Sequence, residues 1–368
     1  MNKKKLLTLL ITGLMMLSSI NVIAANNNDN TNTLDIEKTA IETIKNSQSV
    51  KTLNKRMENA QKQYFDVQSA AQMAIARGIS SVQLIIYNPI DARNALNQFI
   101  TSQQTTTNSV RNDAYSKYIT LLKANYAVSI QSELNKSLAK DNENAQVKLN
   151  KGLISQNDAR LIEINYLKSK YQLSSAEKNL DSAYMIINLA MGEDISQRYT
   201  ALIDDNIVPT AEIKSLDDYV KAAVANRGEI VNAQNMLDSK KEKFTYDKAT
   251  YRTDYDNYIE KTQYDIDRAQ NDLEQAKIGV ELEINNGYKN LQEYMKTAES
   301  QQINYDLAKS NYESAKVRYD NDMITLNELQ DAQIAKAQAQ INLKNAQLDA
   351  WLGQAKMDNA CGIGPGLK

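Results

Sequence analysis

Apolar and small residues recur at alternating steps of three and four along residues 156–191, and the same pattern returns near the end of the chain. Such spacing places the residues on one stripe of a helix and predicts a coiled-coil seam. The first seam comprises Ala159, Ile162, Tyr166, Ser169, Leu173, Ala176, Leu180, Ala183, Ile187 and Ala190. The second comprises Leu329, Ala332, Lys336, Ala339, Leu343, Ala346, Ala350, Gly353, Met357 and Ala360. Because small residues dominate both seams, these helices can pack closely against their neighbours.

Each seam helix also carries a second, offset apolar stripe. The first stripe is Ile164, Leu167 and Tyr171, and the second is Ile334, Ala337 and Ile341. A helix with two stripes can pack against two neighbours, and helices with neighbours on both sides can close into a tube. A plain antiparallel coiled-coil rod would show the same periodicity, so both arrangements stay open.

Few residues interrupt the helical pattern. The chain has three prolines, and only six glycines lie between residues 25 and 350. Few breakers over long stretches predict few, long helices. The pattern predicts one helix over about 34–76, a second over about 91–149 and a third from the turn at 150–155 to about 191.

A shift of 170 residues aligns the two halves of the chain over about sixty positions without a gap. Tyr118 then meets Tyr288, and Leu121 meets Leu291; Ile154/Ile324, Leu173/Leu343 and Ala176/Ala346 match as well. Such self-similarity predicts a duplicated, pseudo-symmetric structure. We therefore expect a first helical repeat at 34–192, a connector at 193–214, a second repeat at 215–360 and a tail at 361–368. The two repeats would share one domain.

Both predicted hairpin turns end in a helix-capping sequence. Residues 155–158 read Ser-Gln-Asn-Asp, and residues 325–328 read Thr-Leu-Asn-Glu. In a capping box the hydroxyl accepts from the backbone N–H three residues on, and the acid there accepts from the cap's own N–H. The turns are thus predicted to start new helices at equivalent places in the two repeats.

The N-terminus has the pattern of a secretory signal peptide over residues 1–25. Three lysines precede an apolar stretch at 6–20, and small residues before position 26 offer a cleavage site. A retained N-terminal anchor is the alternative. Residues 26–33 form a polar, low-complexity lead. Removal of the signal lysines leaves 40 basic and 45 acidic residues, and no basic stripe exists, which argues against nucleic acid as a partner.

Composition also argues against catalysis. The chain has no histidine, the commonest general base and metal ligand, and a single cysteine, Cys361. The acidic residues scatter along the predicted helices at solvent positions, which is the usual arrangement on long helices. We therefore expect a protein that is not an enzyme and needs no cofactor or metal.

Several segments together resemble the TolC-like outer-membrane efflux proteins. They are KLNKGLIS at 148–155 with LAMG at 189–192, RYDNDMITLNELQDAQ at 318–333, SLDDYVKAAVANRGEI at 215–230 and TLDIEKTAIETIKNS at 33–47. The resemblance covers nearly the whole chain after the predicted signal, and the duplicated order of the segments carries it. Gly228 stands where the family usually has proline.

The resemblance implies a function and its sites. Members of the family are homotrimers that pool their helices into a tapering α-barrel, and adaptors and inner-membrane pumps engage its hairpin tips. We therefore expect an efflux or export channel component of the cell envelope, located in the outer membrane by resemblance, or at the surface or wall if the cell has no outer membrane. The alternative is a wall-associated coiled-coil spacer or adaptor without a pore.

The resemblance also transfers roles to particular residues. The predicted partner-docking tips are Lys151, Gly152, Leu153, Ile154, Ser155, Asp322, Met323, Ile324 and Thr325. Glu328 and Asp331 match acidic positions that narrow the channel entrance, where three copies would form two carboxylate rings. A capping role for Glu328 and a solvated face for Asp331 are the alternatives. Ile324 stands where well-known members carry a gate-locking arginine.

One departure from the family concerns the membrane. The family inserts β-hairpins between the first two helices of each repeat, whereas this chain has only residues 77–90 and 247–262 there. Both are too short for two membrane-crossing strands. The expected fold is therefore all-α, with long antiparallel coiled-coil hairpins and little or no β-barrel. Tyr251, Tyr255 and Tyr258 could contact a membrane or wall polymer at this end, or pack in a seam.

Overall fold

The computed structural model describes residues 32–210, 212–250 and 255–362. The predicted signal peptide, most of the lead at 26–33 and most of the tail at 361–368 lie outside the described residues. In chain order the elements are β1 (Thr33–Leu34), α1 (Ile36–Asn46), α2 (Gln48–Ala76), a π-helical turn (Gln83–Tyr87), α3 (Asn88–Asn150), α4 (Gln156–Met191), β2 (Ala201–Leu202), α5 (Leu216–Asn226), α6 (Gly228–Thr250), α7 (Tyr255–Asp320) and α8 (Leu326–Cys361). The predicted all-α class is confirmed.

Two long helical hairpins dominate the molecule. α3 and α7 have 63 and 66 residues, which at 1.5 Å per residue makes each about 95–100 Å long. α4 packs along α3, α8 packs along α7, and α8 also packs against α3. The two hairpins therefore lie side by side, with α3 and α8 at their shared boundary.

The predicted seams are buried or half-buried at every position in both repeats. The second stripes differ from each other. On α8, Ile334, Ala337 and Ile341 pack against a cluster on α3 formed by Ile130, Leu134 and Leu138. The equivalent stripe on α4 is exposed among the described residues, since Ile164, Leu167 and Tyr171 are 44%, 51% and 77% exposed.

The single helix predicted over 34–76 proved to be two helices. The chain breaks at Ser47, whose side chain accepts a hydrogen bond from the Val50 N–H and so caps α2. The second repeat breaks at the equivalent Arg227, between α5 and α6. Local capping chemistry there outweighs the continuous helical pattern.

One of the hydrophobic core clusters lies around the middle of α3. There β1 pairs in parallel with β2, which ties the start of the first repeat to the connector. The Tyr118 hydroxyl, fully buried, donates to the carbonyl oxygens of Leu34 and Ile203 at 2.8 Å each. Its burial raises the pKa of the phenol. Within the part of the chain that the structure describes, no helix combines the length and apolarity needed to cross a membrane.

Candidate functional site: the hairpin tips

The two hairpin tips have the same backbone design. In the first tip (residues 151–155), Gly152 N–H bonds to the Leu149 carbonyl and Leu153 N–H to the Lys148 carbonyl, both at 2.9 Å. In the second tip (residues 322–325), Asp322 N–H bonds to Tyr319 and Met323 N–H to Arg318 in the same pattern. These bonds form Schellman motifs, which need a left-handed residue after the helix. Gly152 and Asp322 occupy that position, with φ of +70° and +57°.

Each tip presents one large apolar side chain to solvent. Leu153 and Met323, at equivalent positions, are both 68% exposed. Ile154 and Ile324 beside them are half-buried, while Lys151, Ser155 and Thr325 are exposed. In Schellman motifs an apolar residue at this place frequently packs back on its own helix. Here both side chains stay exposed, so each tip has an apolar contact point.

The helices after the tips start with the predicted caps. Ser155 accepts from the Asp158 N–H at 3.1 Å. Thr325 and Glu328 form the full capping box: the Thr325 Oγ1 accepts from the Glu328 N–H at 3.3 Å, and the Glu328 carboxylate accepts from the Thr325 N–H at 2.8 Å. The backbone hydrogen bond from Thr325, helped by its hydroxyl, lowers the pKa of Glu328. The structure thus bears out the capping role of Glu328.

Asp331 lies on the same exposed side of α8 as Glu328, three residues further on. Its carboxylate accepts from Asn327 Nδ2 at 3.4 Å. Asn327 in turn accepts from Asn165 on α4 at 3.1 Å. Asp331 is therefore joined by hydrogen bonds to the first hairpin.

A buried amide network connects the two hairpins just behind the second tip. Asn165 Nδ2 also donates to Gln330 Oε1 at 3.2 Å, and Gln330 Nε2 donates to Asp141 on α3 at 3.2 Å. Gln330 is fully buried and Asn165 is 9% exposed. Buried polar groups of this kind fix one arrangement of the helices, because any other leaves them without partners.

Sequence reasoning missed this network, although a signal for it existed. Gln330 lies four residues before Ile334 and so continues the second stripe of α8, where an apolar residue would be expected. A polar residue at a stripe position indicates a buried hydrogen bond to the neighbouring helix. Within the described residues no group of three or more His, Cys, Asp and Glu side chains is arranged to hold a metal ion.

Six solved structures with a similar architecture are membrane channels or membrane proteins by description. The outer-membrane protein VceC of Vibrio cholerae matches at a TM-score of 0.65 and 11% identity over 89% of this chain and 96% of its own. The CmeC outer-membrane channel of Campylobacter jejuni matches at 0.61 and 13% over 90% and 86%. The open state of the MtrE outer-membrane channel of Neisseria gonorrhoeae matches at 0.58 and 14% over 90% of both chains. The chain has the TolC-like fold.

The predicted resemblance to the TolC-like proteins is thereby confirmed for the fold. No protein-family model and no curated protein sequence matches the chain. In the TolC-like fold found here, the tips at 151–155 and 322–325 are the free ends of the two hairpins, and the amide network lies at their base.

Proposed function

We propose that this chain is a subunit of a TolC-like export conduit of the cell envelope. Copies of the chain, three by family resemblance, assemble into a helical tube. The hairpin tips of this tube bind an adaptor and an inner-membrane pump. The observation that carries the proposal is a pair of uncovered helix faces, one on α4 and one on α7. The faces that correspond to them by the repeat, on α8 and α3, pack against each other within the chain.

The packing of α8 against α3 defines the contact that the other repeat lacks. Asn359 Nδ2 on α8 donates to Asn112 Oδ1 on α3 at 2.5 Å. Further toward the tips, Lys123 on α3 forms an ion pair with Asp349 on α8 at 2.5 Å. These contacts fix the register between the last helix of the second repeat and the long helix of the first.

The 170-residue repeat relates the contacting faces of α8 and α3 to faces of α4 and α7. Shifted by 170 residues, Asn359 corresponds to Leu189 on α4 and Asn112 to Leu282 on α7. Leu189 is 69% exposed and Leu282 is 61% exposed. Nearer the tips, further exposed apolar residues follow on both helices: Leu161, Ile164, Leu167 and Tyr171 on α4, and Ile303 and Leu307 on α7.

These faces fit each other on different copies of the chain. Rows of exposed apolar side chains along one helix face indicate an interaction site. If α4 of one copy packs on α7 of the next as α8 packs on α3, the contact is head-to-tail, and such contacts generate rings when the rotation closes. A ring of hairpins packed on both sides encloses a lumen, which is what a conduit requires.

The tips supply the docking surface of this proposed conduit. Leu153 and Met323 are equally exposed and equivalent in the two repeats, so a partner would meet a similar apolar point at every hairpin. Apolar anchors set among polar neighbours are typical of protein interfaces. Glu328 and Asp331 would lie just behind the second tip, as two carboxylate rings at the entrance.

Cysteine cross-linking tests the register between copies. In a Cys361→Ser background, Leu189→Cys with Leu282→Cys is treated with a short bismaleimide, and we expect covalent dimers and trimers. Cys361 itself is buried, and burial raises the pKa of its thiol to about 11, so it reacts slowly with maleimides, and its replacement removes the remaining background labelling.

The matched control is Asn112→Cys with Asn359→Cys, which should cross-link within one chain. Cross-linking of the control alone, with light scattering showing a monomer at all concentrations, would contradict the conduit. That result would favour the wall-associated spacer without a pore.

A further inference from the structure

The end of the molecule opposite the hairpin tips carries a segment with almost no charge. This segment, the α2–α3 tip (residues 67–90), contains one charged residue, Arg77, in 24 positions. The corresponding end of the second repeat, residues 247–262, contains seven charged residues in sixteen positions. The charge depletion is thus a property of the first repeat, not of the duplicated design.

The last turns of α2 bury Ala71 and Ala74 and expose large apolar side chains, whereas residues 84–87 of the tip are half-buried and Ile90 is buried. Met73 and Ile75 are 56% and 59% exposed, and Ile79 in the turn is 45% exposed. A helix end that packs against protein and faces water would have the reverse arrangement.

The exposed apolar residues lie on opposite sides of the helix. Met73 and Ile75 are two positions apart, which at 3.6 residues per turn places them about 200° apart around α2. One neighbouring helix can cover only one of these sides. A surrounding apolar phase covers both.

The one charge of the tip is positive, which suits an anionic surface. It belongs to Arg77. Arg77 is exposed and ends α2 at the turn, beside Ile79. A guanidinium there can bind a phosphate, and its aliphatic part can lie along apolar surface.

We propose that the α2–α3 tip inserts into the interfacial layer of a lipid bilayer. Met73, Ile75 and Ile79 enter the boundary between headgroups and acyl chains, as the apolar faces of interfacial helices do. Arg77 binds a lipid phosphate. This lipid contact requires neither the tube nor its adaptor, so it can be tested on the isolated protein.

Vesicle co-sedimentation of the full chain, purified in its exported form, tests the proposal. We expect binding to vesicles of phosphatidylglycerol and phosphatidylcholine that falls about tenfold or more in the double variant Met73→Gln with Ile75→Gln. The matched control, Leu153→Gln with Met323→Gln, changes two equally exposed apolar residues at the other end and should bind within twofold of the wild type. Helical circular dichroism checks that each variant is folded.

Arg77→Gln separates the headgroup from the apolar contribution. It should weaken binding to vesicles containing phosphatidylglycerol more than binding to pure phosphatidylcholine vesicles, because phosphatidylcholine has the same phosphate but its choline group neutralises the charge. A preference of Arg77 for the anionic headgroup is wrong if both compositions respond equally, and the phosphate contact is wrong if neither responds. The proposal as a whole is overturned if the wild type binds neither vesicle or if both double variants lose binding to the same extent.

A fluorescent label reports insertion without relying on an apolar-to-polar change. In a Cys361→Ser background, an environment-sensitive fluorophore on Ile79→Cys should shift its emission to the blue when vesicles are added. The same label on Leu153→Cys should not shift. An unshifted label at Ile79→Cys would show that the tip stays in water and would also overturn the proposal.

Discussion

At the scale of single residues, the two hairpin turns differ in the residue that adopts the left-handed conformation. Gly152 has no Cβ to strain in that region, whereas Asp322 is the one non-glycine residue with positive φ in the described chain. For an L-residue the left-handed region is costly, and Asp tolerates it because its short side chain can bond locally. The second turn therefore stores strain that the first avoids.

Asp322→Gly should stabilise the second tip by up to about 1 kcal/mol, because glycine adopts this φ without the Cβ penalty. Gly152→Ala should destabilise the first tip by a similar amount. Hydrogen exchange of peptides covering each tip measures both changes locally. Faster exchange in Asp322→Gly would mean that the aspartate side chain stabilises the tip by more than its backbone strain destabilises it.

The capping carboxylate makes the second tip sensitive to acid. Hydrogen bonds from Thr325 lower the pKa of Glu328 in the folded chain. A lowered folded pKa means that the stabilisation is present above the unfolded value, about 4.3 for glutamate, and is lost as pH falls through the folded pKa below it. Exchange protection of residues 318–333, corrected for intrinsic rates, should fall in that acidic window.

Glu328→Gln is the control for this acid response. Glutamine at the third helical position can still accept from the Thr325 N–H, so the cap is retained. The exchange protection of residues 318–333 in this variant should not change with pH in the same window. A variant that still loses protection on acidification would place the titrating group elsewhere.

At the scale of helices, periodicity and caps predicted most of the fold. The ends of α3, α4 and α8 follow from breakers and capping sequences, and the seams from their 3-4 spacing. Three features did not follow. The break at Ser47 depends on one side-chain bond, the β1–β2 pair is two residues long, and a stripe pattern does not say whether its neighbour lies in the same chain.

The candidate site was predictable only where chemistry is local. The turn residues and caps could be read from residues 148–158 and 318–328, because each interaction spans three to five positions. The hydrogen bonds that join Asp141, Asn165 and Gln330 connect residues 165 and 189 positions apart. Only the packing of α8 on the first hairpin reveals it.

This network should act as a unit between the two hairpins. Gln330→Leu leaves the half-buried Asp141 carboxylate and the buried Asn165 amide without that partner and should destabilise the protein by roughly 1–3 kcal/mol in denaturant unfolding. Adding Asn165→Leu should cost less than the sum of the two single changes, since both partners are then apolar. Gln338→Leu, an exposed amide on the same helix, should change stability by less than about 0.5 kcal/mol.

At the scale of the whole molecule, the repeat explains why a single chain looks incomplete. The duplication gives each repeat the same helices, but a linear chain can satisfy only one of the two equivalent contacts between hairpins. α8 covers α3, and the faces of α4 and α7 are left exposed. In the proposed ring every hairpin would then have the same two neighbours, and the exposed stripe of Ile164, Leu167 and Tyr171 would be buried.

A closed ring would also bring like charges together at one end, which gives a test of where Glu328 and Asp331 lie. Three copies would place six carboxylates around one opening, and their repulsion would oppose assembly at low ionic strength. Glu328→Gln with Asp331→Asn should therefore strengthen assembly at low salt, measured by light scattering over a dilution series, with the advantage disappearing as salt screens the wild type. Asp256→Asn with Glu260→Gln removes the same charge from exposed positions at the other end of α7 and should have little effect. Equal effects of the two double variants would indicate a general charge response and would place the carboxylates of Glu328 and Asp331 on a solvated outer face rather than around a shared lumen.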